Sequence, residues 1–185
     1  SSGKMGFAIA RAAQEAGAAV TLVAGPVQLP TPRQVTRIDV QSAMQMHDAV
    51  LPLAARHDVF VATAAVADWR PAECGAMKIK KDGSGRAPSI PMTENPDILA
   101  AVARLPARPY CVGFAAESHE LAKHAREKRV RKGVPLIVGN IGPATFGRDH
   151  NMLLLVDEHG ERELPSAGKL HLARALVAEI ATRLP

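Results

Sequence analysis

Apolar residues along this chain follow two alternating rhythms. Short runs rich in β-branched or aromatic residues occur at Val20–Ala24, Val35–Val40, Val59–Val61, Tyr110–Phe114 and Leu136–Asn140. Each predicts a buried strand. Between them, apolar positions recur at three- and four-residue spacing. Met5, Ile9, Ala12, Ala13 and Ala16 predict a helix over Lys4–Ala16, closed by Gly17. Met46, Ala49, Val50 and Leu53 predict another over Ser42–Arg56. Further helices are expected over Ile98–Leu105, over His119–Lys132 with Gly133 as its stop, and over Lys169–Leu184. In the last of these Ala173, Leu176, Val177, Ile180 and Leu184 align. Met152–Val156 is a strand with no crossover helix before it. Asp157-Glu158-His159-Gly160 then reads as a hairpin turn leading to Arg162–Leu164.

This alternation predicts an α/β fold: a Rossmann-like, doubly wound, mostly parallel sheet with a C-terminal β-hairpin. The strands at Val20, Val59, Tyr110 and Leu136 are expected in one parallel sheet with helices on both faces. The chain opens on a helix, and the strand that should precede it is usually central in such a sheet. The first strand is therefore expected to be missing upstream of Ser1. No repeat, linker or low-complexity segment interrupts the chain, so residues 1–185 are expected to form a single, N-terminally truncated domain.

The stretch from Ala62 to Lys81 organises the chain. The Val59 strand ends in Ala62-Thr63-Ala64-Ala65, small residues that let a ligand lie against backbone N–H and C=O groups. Asp68 follows at once. Lys78, Lys80 and Lys81 follow at a distance a loop can span, and Asp82–Pro91 is a polar Gly/Ser/Pro-rich segment expected to be a mobile flap. Together these predict a binding site at the carboxyl edge of the sheet. A solvated charge run is the alternative for the lysines, and a simple turn cap the alternative for Asp68.

Other segments carry two readings each. Ser1-x-Gly3-x-x-Gly6 could hold a phosphate at a helix start, or it could serve capping and close packing. A dinucleotide site would want an acid about 20 residues on. That position falls at Val23-Ala24, which counts against a nicotinamide-dependent reductase. Asn95-Pro96-Asp97 reads as a helix start, with Asn95 as cap and Asp97 against the dipole. Lys128 and Lys132 share a helix face four residues apart. They suit either the helix dipole or a shared anion.

Composition narrows the partners. The net charge of +5 with only 3% aromatic residues favours small anions over nucleic acid. No apolar run is long enough for a membrane span. Cys74 and Cys111 have no metal or redox spacing and read as free thiols in a reducing cytoplasm. His119 and His124, five apart, make a poor metal pair.

Ala64-Ala65-Val66-Ala67-Asp68-Trp69-Arg70-Pro71 with Lys78-x-Lys80-Lys81 resembles phosphopantothenoylcysteine synthetase, the ligase domain of the bacterial coenzyme A biosynthesis protein. Four further pieces follow in the family's order. They are Ser1–Gly6, Asn95–Ile98, Gly113–Glu117 and Lys128–Lys132.

The resemblance implies a nucleotide-binding ligase that joins 4'-phosphopantothenate to cysteine. It implies CTP as co-substrate, an acyl-cytidylate intermediate and Mg²⁺, with metal ligands unknown. It assigns nucleotide contacts to Ala62, Thr63, Ala64, Asp68, Pro96, Asp97, Ile98, Leu99 and Phe114. Lys128 and Lys132 become phosphate ligands, Lys78 the catalytic lysine, and Ser2, Gly3 and Ala65 contacts to the acid substrate. It further implies a cytoplasmic homodimer fused to, or associated with, a flavin-dependent decarboxylase that this sequence does not contain. The family's asparagine just upstream of the Ser-Ser-Gly motif would precede Ser1. A nicotinamide-dependent reductase and a non-catalytic nucleotide-binding module are the competing readings.

Overall fold

A computed structural model describes residues 2–73, 75, 77, 78, 80, 83, 85–117, 120–141 and 150–184. Ser1, Cys74, Lys81, Asp82 and His119, all named above, lie outside the described residues.

The elements run α1 (Lys4–Glu15), β1 (Val20–Ala24), β2 (Val35–Asp39), α2 (Ala43–Ala54), β3 (Val59–Ala62), β4 (Trp69–Pro71) and β5 (Met92–Glu94). They continue as α3 (Ile98–Ala103), β6 (Tyr110–Glu117), α4 (Leu121–Lys132), β7 (Leu136–Ile141), β8 (His150–Val156), β9 (Glu161–Gly168) and α5 (Lys169–Ala181). The helix ends follow local chemistry. Ser42 and Gln45 form a reciprocal capping box at the start of α2. Gly133 closes α4 in the left-handed conformation, at φ 65°.

The larger sheet has the order β3-β6-β7-β8-β9. β3, β6 and β7 are parallel; β8 and β9 add an antiparallel hairpin at one edge. Asp157 builds the hairpin turn, its Oδ1 accepting from the N–H groups of His159 (2.8 Å) and Gly160 (3.2 Å). β9 runs past the expected end at Leu164, through Pro165. Proline is tolerated because β9 is an edge strand and the register shifts between Asn151 and Leu153 beside it.

Strands alternate their side chains between two cores. Val112, Leu136 and Val138 face one side with Leu153 and Leu155, where α1 and α5 supply Ile9, Leu172, Leu176 and Ile180. Cys111, Ala115 and Ile137 face the other, against Val50 of α2, Leu99 and Val102 of α3, and Ala125 of α4. The result is helices on both faces of a central sheet. Burial pushes the Cys111 thiol up to about 11, so it remains a thiol, donating to Pro109 O.

Three expectations are corrected. The Val20 strand does not join the larger sheet: β1 pairs in parallel with β2 alone, in a separate two-stranded sheet. The facing edges of β1 and β3 instead line one cavity, with Val20, Leu22, Val59 and Val61 among its walls. Second, the segment around Trp69, for which no strand is predicted, forms β4 and pairs antiparallel with β5. Alternation too short to register over three residues hid it. Third, residues 115–117 continue β6, since β7 pairs with them out to Ile141.

Glu15 joins α1 to α5. It accepts from Arg174 (2.7 Å) and from Arg11 (2.8 Å). These guanidinium groups, Arg174 foremost, hold its carboxyl down at about 2 against an ordinary 4.5. A depressed carboxyl contributes stability above its unfolded pKa and loses it as pH falls toward the folded value. The pair is exposed, so the effect is small and salt-sensitive. Melting temperature should fall less between about pH 4.5 and 2 in Glu15→Gln than in the native chain. Parallel curves would show that the bridge contributes nothing.

Candidate functional site

The carboxyl ends of β3 and β6 open into two adjoining cavities. The first, about 480 Å³, includes the gap between β1 and β3. Its lining is apolar along these strands, and Asp68, Glu94, Asp97, Lys128 and Lys132 supply its charged groups. Ala62, Thr63, Ala64 and Asp68 line it from the β3 side. Pro96, Asp97, Ile98 and Leu99 line it from the start of α3. Phe114, Lys128 and Lys132 complete it from β6 and α4. Every nucleotide contact implied by the resemblance, apart from Lys78, therefore meets at one cavity.

The second cavity, about 640 Å³, is lined by Ser2, Gly3 and Ala65, the residues implied for the acid substrate. The two cavities share Thr63, Ala64, Val66, Ala67, Phe114 and Lys128. The small-residue floor is thus a common wall. Lys78 lines neither cavity; it is exposed on the segment between β4 and β5.

The two lysines of α4 are held differently. Lys128 Nζ donates to the neutral Phe114 O at 2.6 Å. Lys132 Nζ is ion-paired with Asp97 Oδ2. Asp97 Oδ1 accepts from the Ala100 N–H at 3.0 Å and so caps α3. Burial acts to raise the Asp97 carboxyl, but hydrogen bonds from Lys132 and Ala100 outweigh it, leaving the group below its ordinary value. The expected cap, Asn95, does other work. Its Nδ2 donates to Ala67 O (2.9 Å), its Oδ1 accepts from Arg70 (3.1 Å), and its N–H donates to Asp68 O (2.7 Å). Arg70 also donates to Glu94 O (2.6 Å). These bonds pin the Ala67–Arg70 segment, and with it Asp68, against the end of β5.

Among the described residues, no group of three or more His, Cys, Asp or Glu side chains could hold a metal ion. The described residues offer no protein cage for Mg²⁺.

Comparison with known proteins gives this geometry a family. Residues 1–184 match the DNA/pantothenate metabolism flavoprotein C-terminal domain. The chain belongs to that family. It is 49% identical over 181 residues to the coenzyme A biosynthesis bifunctional protein CoaBC of Vibrio cholerae, spanning 96% of this chain and 45% of that protein. It thus spans about half the length of the curated relatives it matches. The crystal structure of the C-terminal domain of CoaBC superposes with a TM-score of 0.83 at 33% identity, covering 99% of this chain and 83% of that one. A Cab2 variant in complex with phosphopantothenate-cysteine shares the fold at 14% identity, with a TM-score of 0.80 over 99% of this chain and 78% of that one.

In this flavoprotein C-terminal domain the Ser-x-Gly-x-x-Gly segment has a clear packing role. Gly3 takes φ 75° as the residue before α1, a conformation that favours glycine. A Cβ on Gly6 would stand 2.6 Å from Thr63 Oγ1. Gly6 lets α1 lie directly on the shared floor. Gly6→Ala should displace Thr63, cost about 1–3 kcal/mol in stability, and weaken binding at both cavities. Unchanged denaturant midpoint and binding would show that Thr63 yields freely.

Sequence reading did not single out several residues of the second cavity. Lys4, Asn151 and Lys169 line it, with Asn140 from the end of β7. Asn151 is 5% exposed, and its Oδ1 accepts from the Met152 N–H at 2.8 Å. A polar residue at the start of an apolar strand was the available signal.

Proposed function

We propose that this chain is the domain that ligates 4'-phosphopantothenate to cysteine through an acyl-cytidylate formed from CTP. The observation that carries the reading is the shared wall: two cavities, one bearing Asp68 and the α4 lysines, meet at Thr63, Ala64, Phe114 and Lys128. A carboxylate in the second cavity would then lie beside the α-phosphate of a nucleotide in the first. Family membership and the CoaBC relatives support the same reading.

In the first step the carboxylate oxygen attacks the α-phosphorus, and the bond to the bridging oxygen breaks as pyrophosphate leaves. Lys128 and Lys132 hold the phosphates. Backbone groups near Ala62–Ala64 and Phe114 contact the base, and Asp68 contacts the nucleotide. Lys78 closes over the phosphates and stabilises the charge passing to pyrophosphate. Mg²⁺ enters on the triphosphate as part of the substrate and supplies further charge neutralisation. In the second step the amine of cysteine attacks the acyl carbon, CMP leaves, and the amine proton is released. Residues Ser2, Gly3 and Ala65 hold the acid substrate throughout.

The β4–β5 ribbon supports the homodimer. Trp69 is 59% exposed and Met92 51%, an apolar pair beside the site that a second copy would cover. The length of the CoaBC relatives supports fusion to a flavin-dependent decarboxylase, and the domain itself is proposed as one unit. No described helix is long and apolar enough to cross a membrane. A cytoplasmic location belongs to the same proposal.

Titration of the full-length protein with CTP, ATP and NADPH tests this. CTP binding, followed by pyrophosphate release only when phosphopantothenate is present, is the expected result. NADPH binding without CTP binding would move the reading to the reductase; nucleotide binding without turnover would leave a regulatory module.

A further inference from the structure

The first cavity holds a carboxylate where a phosphate ligand would be expected to dominate. Asp97 needs only one oxygen to cap α3, and an Asn or Ser would cap it comparably. Its second oxygen is used on Lys132, which reaches it from the last turn of α4. Lys132 is well covered, at 19% side-chain exposure, whereas Asp97 keeps 44%. Lys128, four residues earlier on the same face, donates to the Phe114 carbonyl and adds its positive charge to the field on Asp97.

We infer that Asp97 is an internal stand-in for phosphate, holding Lys132 until the polyphosphate of a nucleoside triphosphate displaces it and recovering Lys132 as pyrophosphate leaves. This rests on the nucleotide reading above. Three linked phosphates offer more charge and more acceptor oxygens than one carboxylate, so they win the exchange. A nucleoside monophosphate, contacting through its α-phosphate alone, competes far less well. The exchange therefore lowers affinity for polyphosphate and favours release of pyrophosphate. Asp97 acts through Lys132 and is a positioning residue.

The test is calorimetric titration of inorganic pyrophosphate, CTP and CMP into the full-length protein and its variants. Asp97→Asn keeps the cap and removes the competing charge. It should tighten pyrophosphate and CTP by about three- to fivefold, the upper range for an exposed ion pair, with CMP nearly unchanged. In the Lys132→Ala background the same substitution should gain less than about twofold. Steady-state rates should show a lower KM for CTP and stronger inhibition by pyrophosphate. Asp97→Ser, which also caps, must reproduce the pattern, and melting curves identify any variant that fails to fold.

Unchanged or weaker pyrophosphate binding in both folded Asp97 variants overturns the proposal. So does an equal gain in the Lys132→Ala background, because the carboxylate would then act through space. The nucleotide reading fails separately. If pyrophosphate binding responds as expected but CTP binds no more tightly than pyrophosphate, the exchange stands and the CTP assignment falls. If native protein binds CTP and Asp97→Asn does not alter it, the assignment stands and the exchange falls. Absence of binding by either ligand removes both.

Discussion

Replacing Lys78 by Gln is expected to slow acyl-cytidylate formation by roughly 10²–10³-fold, the scale of one lost preorganised charge stabiliser. Lys78 is exposed and lines neither cavity. On the proposed mechanism it contributes little to a resting complex, and its charge acts in the transition state of the first step. Gln keeps the approximate length and drops the charge. CTP binding should change much less than the rate. The second step should stay largely intact when preformed acyl-cytidylate and cysteine are supplied. Rapid-quench measurement of pyrophosphate release in the full-length protein, beside CTP titration, reads both quantities. Release at the native rate would make Lys78 an ordinary solvated lysine.

The second large effect belongs to Lys132. Lys132→Ala removes one charge-assisted contact to phosphate, worth roughly 1.5–3 kcal/mol, or about 10- to 150-fold in CTP affinity. Asp97 remains bonded to the Ala100 N–H and reaches solvent. The variant therefore leaves no buried unpaired charge to confuse the result. Phosphopantothenate binding should change less, because Lys132 lines only the first cavity. Equal losses for both ligands would mean that Lys132 supports the fold between α3 and α4. Unchanged CTP affinity would reduce the cluster to a favourable helix end.

Much of this protein was legible in its residues. Alternation and helical spacing marked β1, β3, β6 and β7 and the five helices among the described residues, because burying one face of each element leaves a periodic trace. Gly133 and the Asp157–Gly160 turn ended their elements as their backbone preferences require. Small residues after Val61 marked a floor because bulk there would close the site. The residues that the resemblance assigns to the nucleotide, Lys78 apart, line one cavity.

What the tertiary structure alone decided is how distant segments meet. Sequence spacing makes Asn95 a plausible cap, yet Asp97 caps α3, and Asn95 bonds to Ala67 and Arg70, 28 and 25 residues away. The ion pair of Asp97 with Lys132 spans 35 residues and leaves no local pattern. The β4–β5 ribbon is too short to show a period. Finally, the separation of β1–β2 from the larger sheet follows from strand neighbours. Hydropathy reports that a strand is buried; only hydrogen bonding to specific partners determines what lies beside it.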